Sequence, residues 1–432
     1  MNLILVELNE INFDVVRSYI DRGEDLPSFK KIIDSGMIET RAESEYEKLE
    51  PWIQWPSVHL GKSFEEHGIF RLGDIVHSDV PQFFEQIEQA GYSVGAISPM
   101  NAQNRLKKPA YFIPDPWTST STDGSFFSEV LSSAVSQAVN DNAQSKLSLK
   151  TIFSLILTFF AKVRPQKIPK MIWYAFTAIG KPWRKAMFLD TFLHEVHMTE
   201  HAKASPDFST IFFNGGAHIQ HHYFFNSSAL DNRLVKNPDW YIKDHFDPIL
   251  EMLEGYDDVL GDILDLEDTE LILATGLSQK PYDRLKIYYR LKNHGEFLNI
   301  LGIPFKDIQP RMTRDFLVTF DSASEATDAE QRLAEIVVDD DTALFGEIDN
   351  RGTELFVTLT YPNEAFDTTS IVVDGKRLKL KEHLAFVAVK NGMHQSTGFA
   401  YFSDGIRNLM PENGAHVSNI NTSVIEFFGV NT

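Results

Sequence analysis

The chain has 432 residues, of which 43% are hydrophobic and 12% aromatic, so it can bury a large core and global disorder is excluded. Its formal net charge of −21 argues against DNA or RNA as the main partner, because phosphate backbones are bound by basic surfaces. The absence of cysteine excludes disulfides, thiolate metal ligands and a cysteine nucleophile.

Neither the start of the chain nor any later apolar run resembles a membrane segment. Residues 2–6 are largely apolar and Glu7 follows at once, without the basic start and long apolar stretch of a signal peptide. No apolar run approaches the roughly 18–20 residues of a membrane span. We therefore expect a cytoplasmic protein.

Strands and helices are predicted to alternate along most of the chain. Apolar runs predict buried strands at residues 2–8, 93–97, 208–213 and 271–275. Helices are predicted at residues 13–22, 27–36, 81–90 and 248–266. This alternation indicates an α/β protein with a doubly wound, mostly parallel sheet.

Two insertions are predicted within this α/β core, which then comprises residues 1–124, 204–313 and 384–432. The first, residues 125–203, is helical, and its window 142–189 contains nine basic residues and no acidic one. Basic residues beside short aromatic-rich helices suit an anionic membrane surface or a lipid-linked substrate, and a helical cap packed on the core is the alternative. The second insertion, residues 314–383, is predicted to be a small α+β module, with strands at 315–320, 343–348 and 354–360.

A histidine cluster directly follows the predicted strand 208–213. Asn214 is succeeded by His218, His221 and His222 within eight residues. Ligands of open α/β sheets bind at the carboxyl ends of strands, and neutral imidazole is the commonest metal ligand. This stretch therefore predicts a functional site.

Several motifs occur in the order typical of one superfamily. They are an N-terminal strand ending in the acidic residue Glu7, a Pro-x-Phe helix at 27–36, Gly-x5-His-Gly-Ile at 61–69, the 214–218 loop, His-x-x-x-Gly-Phe at 394–399, and Phe-Gly-Val at 428–430. With these motifs in this order, the chain resembles the alkaline phosphatase superfamily, most closely its type I phosphodiesterase/nucleotide pyrophosphatase branch. The resemblance implies an alkaline phosphatase-like core.

The resemblance also implies metal ligands, and the family uses two ions. His218 and His394 match one half-site, where Asn214 replaces the family's aspartate. Glu7 replaces the N-terminal aspartate of the other half-site. Gly276 and Leu277 stand where the family has an Asp-His pair. We therefore expect a divalent cofactor, zinc or manganese, with a single ion as one alternative.

The family's nucleophile position is occupied by Pro51, which has no hydroxyl group. The adjacent Glu50 is the candidate base, ligand or carboxylate nucleophile, and His221 and His222 are candidates for acid–base chemistry. Substrate contacts are predicted for four further side chains, which are Trp52, Gln54, Trp55 and Asn101.

Two functions follow from these features. The first is a phosphodiesterase-like hydrolase or group transferase with altered metal use, acting on a small-molecule or lipid- or sugar-linked phosphate ester. The second is a non-catalytic binding protein of the same fold, membrane-associated in envelope polysaccharide or lipid assembly. Membrane contact through residues 142–189 would place either of these two proteins at the inner face of a membrane.

Overall fold

The fold is known from a computed structural model, which describes residues 2–140, 149–230, 235–311, 314–339 and 341–430. The strands are β1 (Asn2–Leu8), β2 (Met37–Arg41), β3 (Val94–Ile97), β4 (Tyr111–Ile113), β5 (Phe208–Phe213), β6 (Thr269–Ala274), β7 (Ser278–Leu291), β8 (Asp307–Pro310), β9 (Asp315–Thr319), β10 (Asp349–Asn350), β11 (Glu354–Thr358), β12 (Ser370–Val373), β13 (Lys376–Lys379), β14 (Leu384–Gln395) and β15 (Thr397–Phe402).

Helices connect and cover these strands. They are α1 (Phe13–Asp21), α2 (Pro27–Ser35), α3 (Pro51–Leu60), α4 (Phe64–His67), α5 (Phe83–Gln89), α6 (Phe126–Asn140), α7 (Leu149–Lys162), α8 (Ile168–Thr177), α9 (Trp183–Ala204), α10 (Gly215–Tyr223), α11 (Pro248–Leu264), α12 (His294–Ile300), α13 (Ala323–Ala334), α14 (Leu380–His383) and α15 (Asn419–Phe427). Within the described ranges, no helix is both long and apolar enough to cross a membrane.

A seven-stranded sheet forms the centre of the first of two compact units, which comprises Met1–Asn232, Asp247–Pro281 and Gly392–Thr432. Its strand order is β2-β15-β6-β1-β5-β3-β4. The pairs within β6-β1-β5-β3-β4 are parallel, and β15 runs antiparallel to β2 and β6. The predicted α/β class and mostly parallel sheet are thereby confirmed.

Strand β1 lies at the middle of this sheet because its side chains are apolar on both faces. Leu3, Ile4, Leu5 and Val6 are completely buried, which is typical of strands covered on both sides. Its carboxyl end therefore lies between the ends of β5 and β6. The backbone N–H of Asn9 donates to the Phe213 carbonyl, and that of Glu10 donates to the Thr275 carbonyl.

The histidine cluster, which the family motif predicts as a loop, is helix α10. Asp190 accepts a hydrogen bond from the Gly215 N–H (2.7 Å), and the Tyr256 hydroxyl accepts one from the Gly216 N–H (2.6 Å). These acceptors satisfy N–H groups that the first turn of a helix leaves free. A side chain at Gly216 would collide with Ile11 and Tyr256, so glycine is needed for this close approach.

The basic segment lies in helices α6 to α9 and the turns between them, which we call the helical cap. Residues 142–148 of the basic window lie outside the described residues. Five of the nine basic side chains form ion pairs with acids of α9 and α11. The pairs are Lys162–Glu200, Arg164–Glu195, Lys167–Asp262, Lys170–Asp258 and Arg184–Glu251. Much of the positive charge is therefore neutralised within the protein.

The second compact unit comprises Arg233–Phe246 and Tyr282–Asn391. It contains the antiparallel sheet β10-β11-β9-β8, the hairpin β12-β13 and its own core around Phe316, Leu333 and Leu355. The predicted strand at 343–348 is wrong, since only isolated bridges form at Ala343 and Phe345. The adjacent residues Leu344 and Phe345 are both buried, whereas neighbouring side chains of a strand point to opposite faces.

Candidate metal centre

Three side chains converge at the carboxyl end of β1, and they are Glu10, His221 and His394. The Glu10 Oε2 lies 3.3 Å from His221 Nε2 and 3.1 Å from His394 Nε2. The two Nε2 atoms are 3.1 Å apart. We call these three residues the Glu10 triad. Among the described residues, it is one of two groups that could hold a metal ion.

Two amide side chains fix the carboxylate of Glu10, which is 2% exposed. The Asn9 Nδ2 donates to Glu10 Oε1 (3.1 Å), and the Gln279 Nε2 donates to Glu10 Oε2 and to the Ala217 carbonyl. Gln220 donates to the Glu10 carbonyl (2.9 Å). The carboxylate therefore has a defined position although it is removed from solvent.

The imidazole of His221 is oriented by the backbone. Its Nδ1 lies 3.0 Å from the Gly392 carbonyl oxygen. A carbonyl oxygen can only accept, so Nδ1 carries the proton, and in the neutral ring Nε2 presents its lone pair to the triad. Residue 392 has to be glycine, because a Cβ at this position would lie 2.1 Å from Gln279 Oε1.

Charge is strongly coupled within the triad. Burial alone would raise the pKa of Glu10, but the positive charges of His394 and His221 hold it well below its usual value. Burial alone would lower the pKa of His394, but Glu10, assisted by Glu50 and a hydrogen bond with the Leu49 backbone, raises it. Without a cation, Glu10 and His394 therefore each favour the charged form of the other.

The geometry of the triad fits a divalent cation. Tetrahedral coordination with bonds of about 2.0–2.1 Å separates ligand atoms by about 3.3–3.4 Å, close to the observed 3.1–3.3 Å. The lone pairs of two imidazoles and one carboxylate oxygen can share one cation. Backbone and amide contacts on the far side of each ligand are typical of metal sites.

Glu50, predicted for acid–base chemistry, lies beside this cluster. Its Oε2 is 3.8 Å from the Nδ1 of His394, and its side chain is 31% exposed. The residue precedes α3 at the N-cap position, which fixes its backbone near the triad. The structure thus brings together Glu50, His221 and His394 of the predicted site.

His218 and His222 form a separate pair on α10. Their ring centroids are 4.6 Å apart, as expected for residues four positions apart on a helix. His218 is exposed, and neither residue belongs to a group of candidate ligands in the described part of the chain. Asn214, predicted to assist His218, accepts a hydrogen bond from Asn9 (2.9 Å).

Glu7 lies inside the core. Its Oε1 is 3.1 Å from His59 Nε2 and accepts a hydrogen bond from the Thr210 hydroxyl (2.8 Å). Both Glu7 and His59 are completely buried. The predicted ligand Glu7 is therefore paired with a histidine that is not in the predicted ligand set.

The four predicted substrate contacts are mostly buried. Gln54, Trp55 and Asn101 have no exposed surface, and only Trp52 is partly exposed. The indole N–H of Trp55 donates to Asn9 Oδ1 (2.8 Å), so this tryptophan supports the residue that holds Glu10. Gln54 donates to the Lys48 carbonyl, and Asn101 donates to the Trp52 carbonyl.

Glu10 and Gln279 were not among the residues predicted from the sequence. The signal for Glu10 was available, because an acidic residue two positions beyond a buried central strand lies at the ligand-binding edge of the sheet. Gln279 lies at the start of β7, which begins one residue before it.

The second candidate group is His194, Glu195 and Asp262. The Arg164 guanidinium lies 2.6 Å from Glu195 and 2.7 Å from Asp262, and Lys167 lies 2.8 Å from Asp262. These cations already neutralise both carboxylates, so the group is better explained as an ion-pair network that anchors the helical cap.

No protein-family model matches the chain, and no curated protein matches it. Among solved structures, similar ones include murine ectonucleotide pyrophosphatase/phosphodiesterase 5 (8% identity, TM-score 0.42, covering 100% of this chain and 96% of that one). Others are phosphonoacetate hydrolase from Sinorhizobium meliloti 1021 (11%, 0.44, 98% and 95%) and alkaline phosphatase from the Antarctic bacterium TAB5 (10%, 0.40, 100% and 99%).

These structures are members of the alkaline phosphatase superfamily, the one that the sequence motifs resemble. The similarity is distant at these identities and TM-scores. The fold class of this chain therefore rests on its own sheet topology, and its chemistry rests on its own side chains.

Proposed function

We propose that this protein is a metal-dependent phosphoester hydrolase or group transferase that uses one divalent ion, zinc or manganese, held by Glu10, His221 and His394. The observation that carries the proposal is the convergence of three ligand atoms within 3.3 Å of one another. Imidazole and carboxylate ligands suit both metals. The phosphate ester as substrate class follows from the motif resemblance.

The side chains around the triad have defined roles in this proposal. A bound cation would polarise a phosphoryl oxygen and lower the pKa of water. Glu50, next to His394 and partly exposed, accepts the proton of the attacking group. His218 and His222 lie on the same helix as the ligand His221 and contact the anionic ester.

A second set of ligands follows from the motif resemblance, and it comprises His218, His394, Asn214 and Glu7. The two sets share His394 but differ in which histidine of α10 binds the ion. Substituting His221 in one variant and His218 in another therefore shows which of the two ligand sets binds the ion, and both substitutions lie on the same helix.

The test is zinc and manganese binding to the purified, metal-stripped protein by isothermal titration calorimetry. We expect His221→Ala and His394→Ala to weaken binding by at least about 100-fold, and His218→Ala to change it less than about twofold. Loss of binding in His218→Ala, with His221→Ala unaffected, would instead support the resemblance-based set. Circular dichroism verifies that each variant is folded.

Activity separates the enzyme from the non-catalytic alternative. We expect metal-dependent hydrolysis of bis(p-nitrophenyl) phosphate or p-nitrophenyl phosphate, abolished by chelator and reduced in Glu50→Gln. Metal binding without turnover of either ester, or of a panel of sugar- and lipid-linked phosphates, would favour a binding protein of the same fold. That panel also tests the narrower proposal of a lipid- or sugar-linked substrate.

A further inference from the structure

The helical cap contains an apolar cavity that the proposed chemistry does not use. The cavity has a volume of about 420 Å³ and lies between helices α6, α7 and α9. Its ten lining side chains are all apolar, among them Leu131, Phe159 and Phe192. A wholly apolar lining favours apolar ligands, and the volume lies in the range of small-molecule sites.

The surface beside the cavity is also apolar. Phe160, which lines the cavity, is 65% exposed, and Ile179 on the neighbouring segment is 88% exposed. Clustered exposure of large apolar side chains marks a binding surface more often than isolated exposure does. A ligand that enters the cavity would cover part of this surface.

A positively charged side chain near the cavity indicates that the polar end of such a ligand is anionic. A neighbouring cavity of about 510 Å³ shares Phe188 with the first and includes Lys185 among its lining residues. Lys185 is exposed and forms none of the ion pairs found among the described residues, unlike the five cations that pair with α9 and α11. Residues 142–189 themselves contain no acidic residue.

We propose that this cavity binds the hydrocarbon chain of an anionic amphiphile, with the chain between α6, α7 and α9 and the anionic head group at Lys185. The apolar lining explains affinity for a chain, and Lys185 explains preference for a negative head group. The site is separate from the Glu10 triad, so it does not depend on metal binding or on catalysis.

The test uses sodium dodecanoate, dodecanol and dodecyltrimethylammonium as competitors of a fluorescent dansyl-labelled fatty acid, all below their critical micelle concentrations. We expect dodecanoate to displace the probe most effectively. Ala134→Trp, which fills the cavity, should weaken dodecanoate binding at least about tenfold. If that variant does not fold, Ala134→Leu offers a smaller intrusion with a smaller loss.

The head-group assignment has a matched control on the same helix. Lys185→Glu should weaken dodecanoate about fivefold or more and leave dodecanol unchanged, whereas Lys203→Glu, the same charge change at the exposed end of α9, should affect neither. Equal effects of the two substitutions, or unchanged binding in both Ala134 variants, would overturn the proposal.

Two further measurements separate this ligand from other occupants of the apolar surface. Binding to phosphatidylglycerol vesicles without binding of monomeric dodecanoate would assign the surface to a bilayer instead. A dimer in size-exclusion chromatography with light scattering that persists in Ala134→Trp and excludes the probe would assign it to a second copy of the chain. Either result contradicts the proposed occupant.

Discussion

Glu10 has a left-handed backbone conformation (φ 62°), which side chains other than glycine rarely adopt. This conformation costs roughly 1–2 kcal/mol. The cost is offset by hydrogen bonds to its carboxylate from Asn9 and Gln279, and to its carbonyl from Gln220. Strained, buried and charged residues concentrate at functional sites, which is consistent with a metal-binding role for the triad.

The coupling within the triad predicts a pH dependence of the metal-free protein. The pair of Glu10 and His394 stabilises the fold between the lowered pKa of Glu10 and the raised pKa of His394. This contribution is lost as pH falls through the pKa of Glu10, where the carboxylate is protonated. It is also lost as pH rises through the pKa of His394, where the imidazolium is deprotonated.

We expect Glu10→Gln to lower the pKa of His394, because the carboxylate is the main group that raises it. An NMR titration of the histidine Cε1 protons, assigned with His394→Ala, measures this shift. Glu50→Gln serves as the control and should lower the pKa by a smaller amount, since Glu50 contributes less. An unchanged titration in Glu10→Gln would show that the two groups are not coupled.

Asp190, which holds the start of α10, gives a second pH-dependent prediction. Burial raises the pKa of Asp190 to about 6, against the opposing hydrogen bonds from Tyr256 and Gly215. Because the folded pKa is above the ordinary value of 3.8, this residue contributes stability at low pH that is lost as pH rises from about 4 to about 6.

The free energy of unfolding of the wild type, relative to Asp190→Asn, should therefore fall by up to about 3 kcal/mol between pH 4 and 7. Urea denaturation at several pH values measures the difference. Other titrating groups are common to both proteins and cancel. A difference that rises with pH would mean that the folded protein favours the charged form of Asp190.

At the scale of elements, ion pairs connect the segment that follows α7 both to α9 of the same cap and to α11 of the core. Glu195 of α9 is completely buried, and Arg164 contacts both of its carboxylate oxygens (2.6 and 2.9 Å). A buried charge that loses its partner is much more costly than an exposed one. Lys170 and Asp258 form a pair in the same cap that is largely exposed.

We expect Arg164→Ala to lower the free energy of unfolding by about 3–5 kcal/mol, and Lys170→Ala to lower it by less than about 1 kcal/mol. Both substitutions remove one cation from the same cap, but only Arg164→Ala leaves a completely buried carboxylate, that of Glu195, without its cation. Chemical denaturation followed by tryptophan fluorescence provides the values. Equal losses would show that Glu195 is solvated when Arg164 is removed.

Elements with strong local patterns were predictable, and elements defined by distant partners were not. Strand β1 and helix α11 follow from apolar runs and helical spacing. Helix α10 begins Gly215-Gly216, which favours a loop, and it is stabilised by Asp190 and Tyr256, which are 25 and 40 residues away. The triad could not be predicted for the same reason. His221 contacts Glu10 and His394 at the edge of the sheet, and these residues are far apart in the sequence.

At the scale of the whole molecule, two compact units have separate hydrophobic cores, and the Glu10 triad belongs entirely to the first. A ligand stabilises only the cooperative unit that binds it. The second unit contributes no member of the triad. Metal should therefore act on the two units unequally.

We expect two transitions in differential scanning calorimetry of the full chain, of which only one shifts upward with zinc. At a free zinc concentration of 100 times the dissociation constant, the shifted transition gains about 2.7 kcal/mol. In His221→Ala the shift should disappear while the other transition is unchanged. A single transition that moves as a whole would show that the two units unfold together.

The contact between Gly392 and Gln279 has a consequence for protein engineering. The chain leaves the first unit two residues after Gln279 and re-enters it at Gly392, and these two residues are packed so closely that a methyl group would not fit between them. The interruption therefore starts and ends at almost the same point in space. A short turn between residues 281 and 392 would remove the larger of the two interruptions in the first unit, and only the segment 233–246 would still have to be bridged to give a continuous minimal chain.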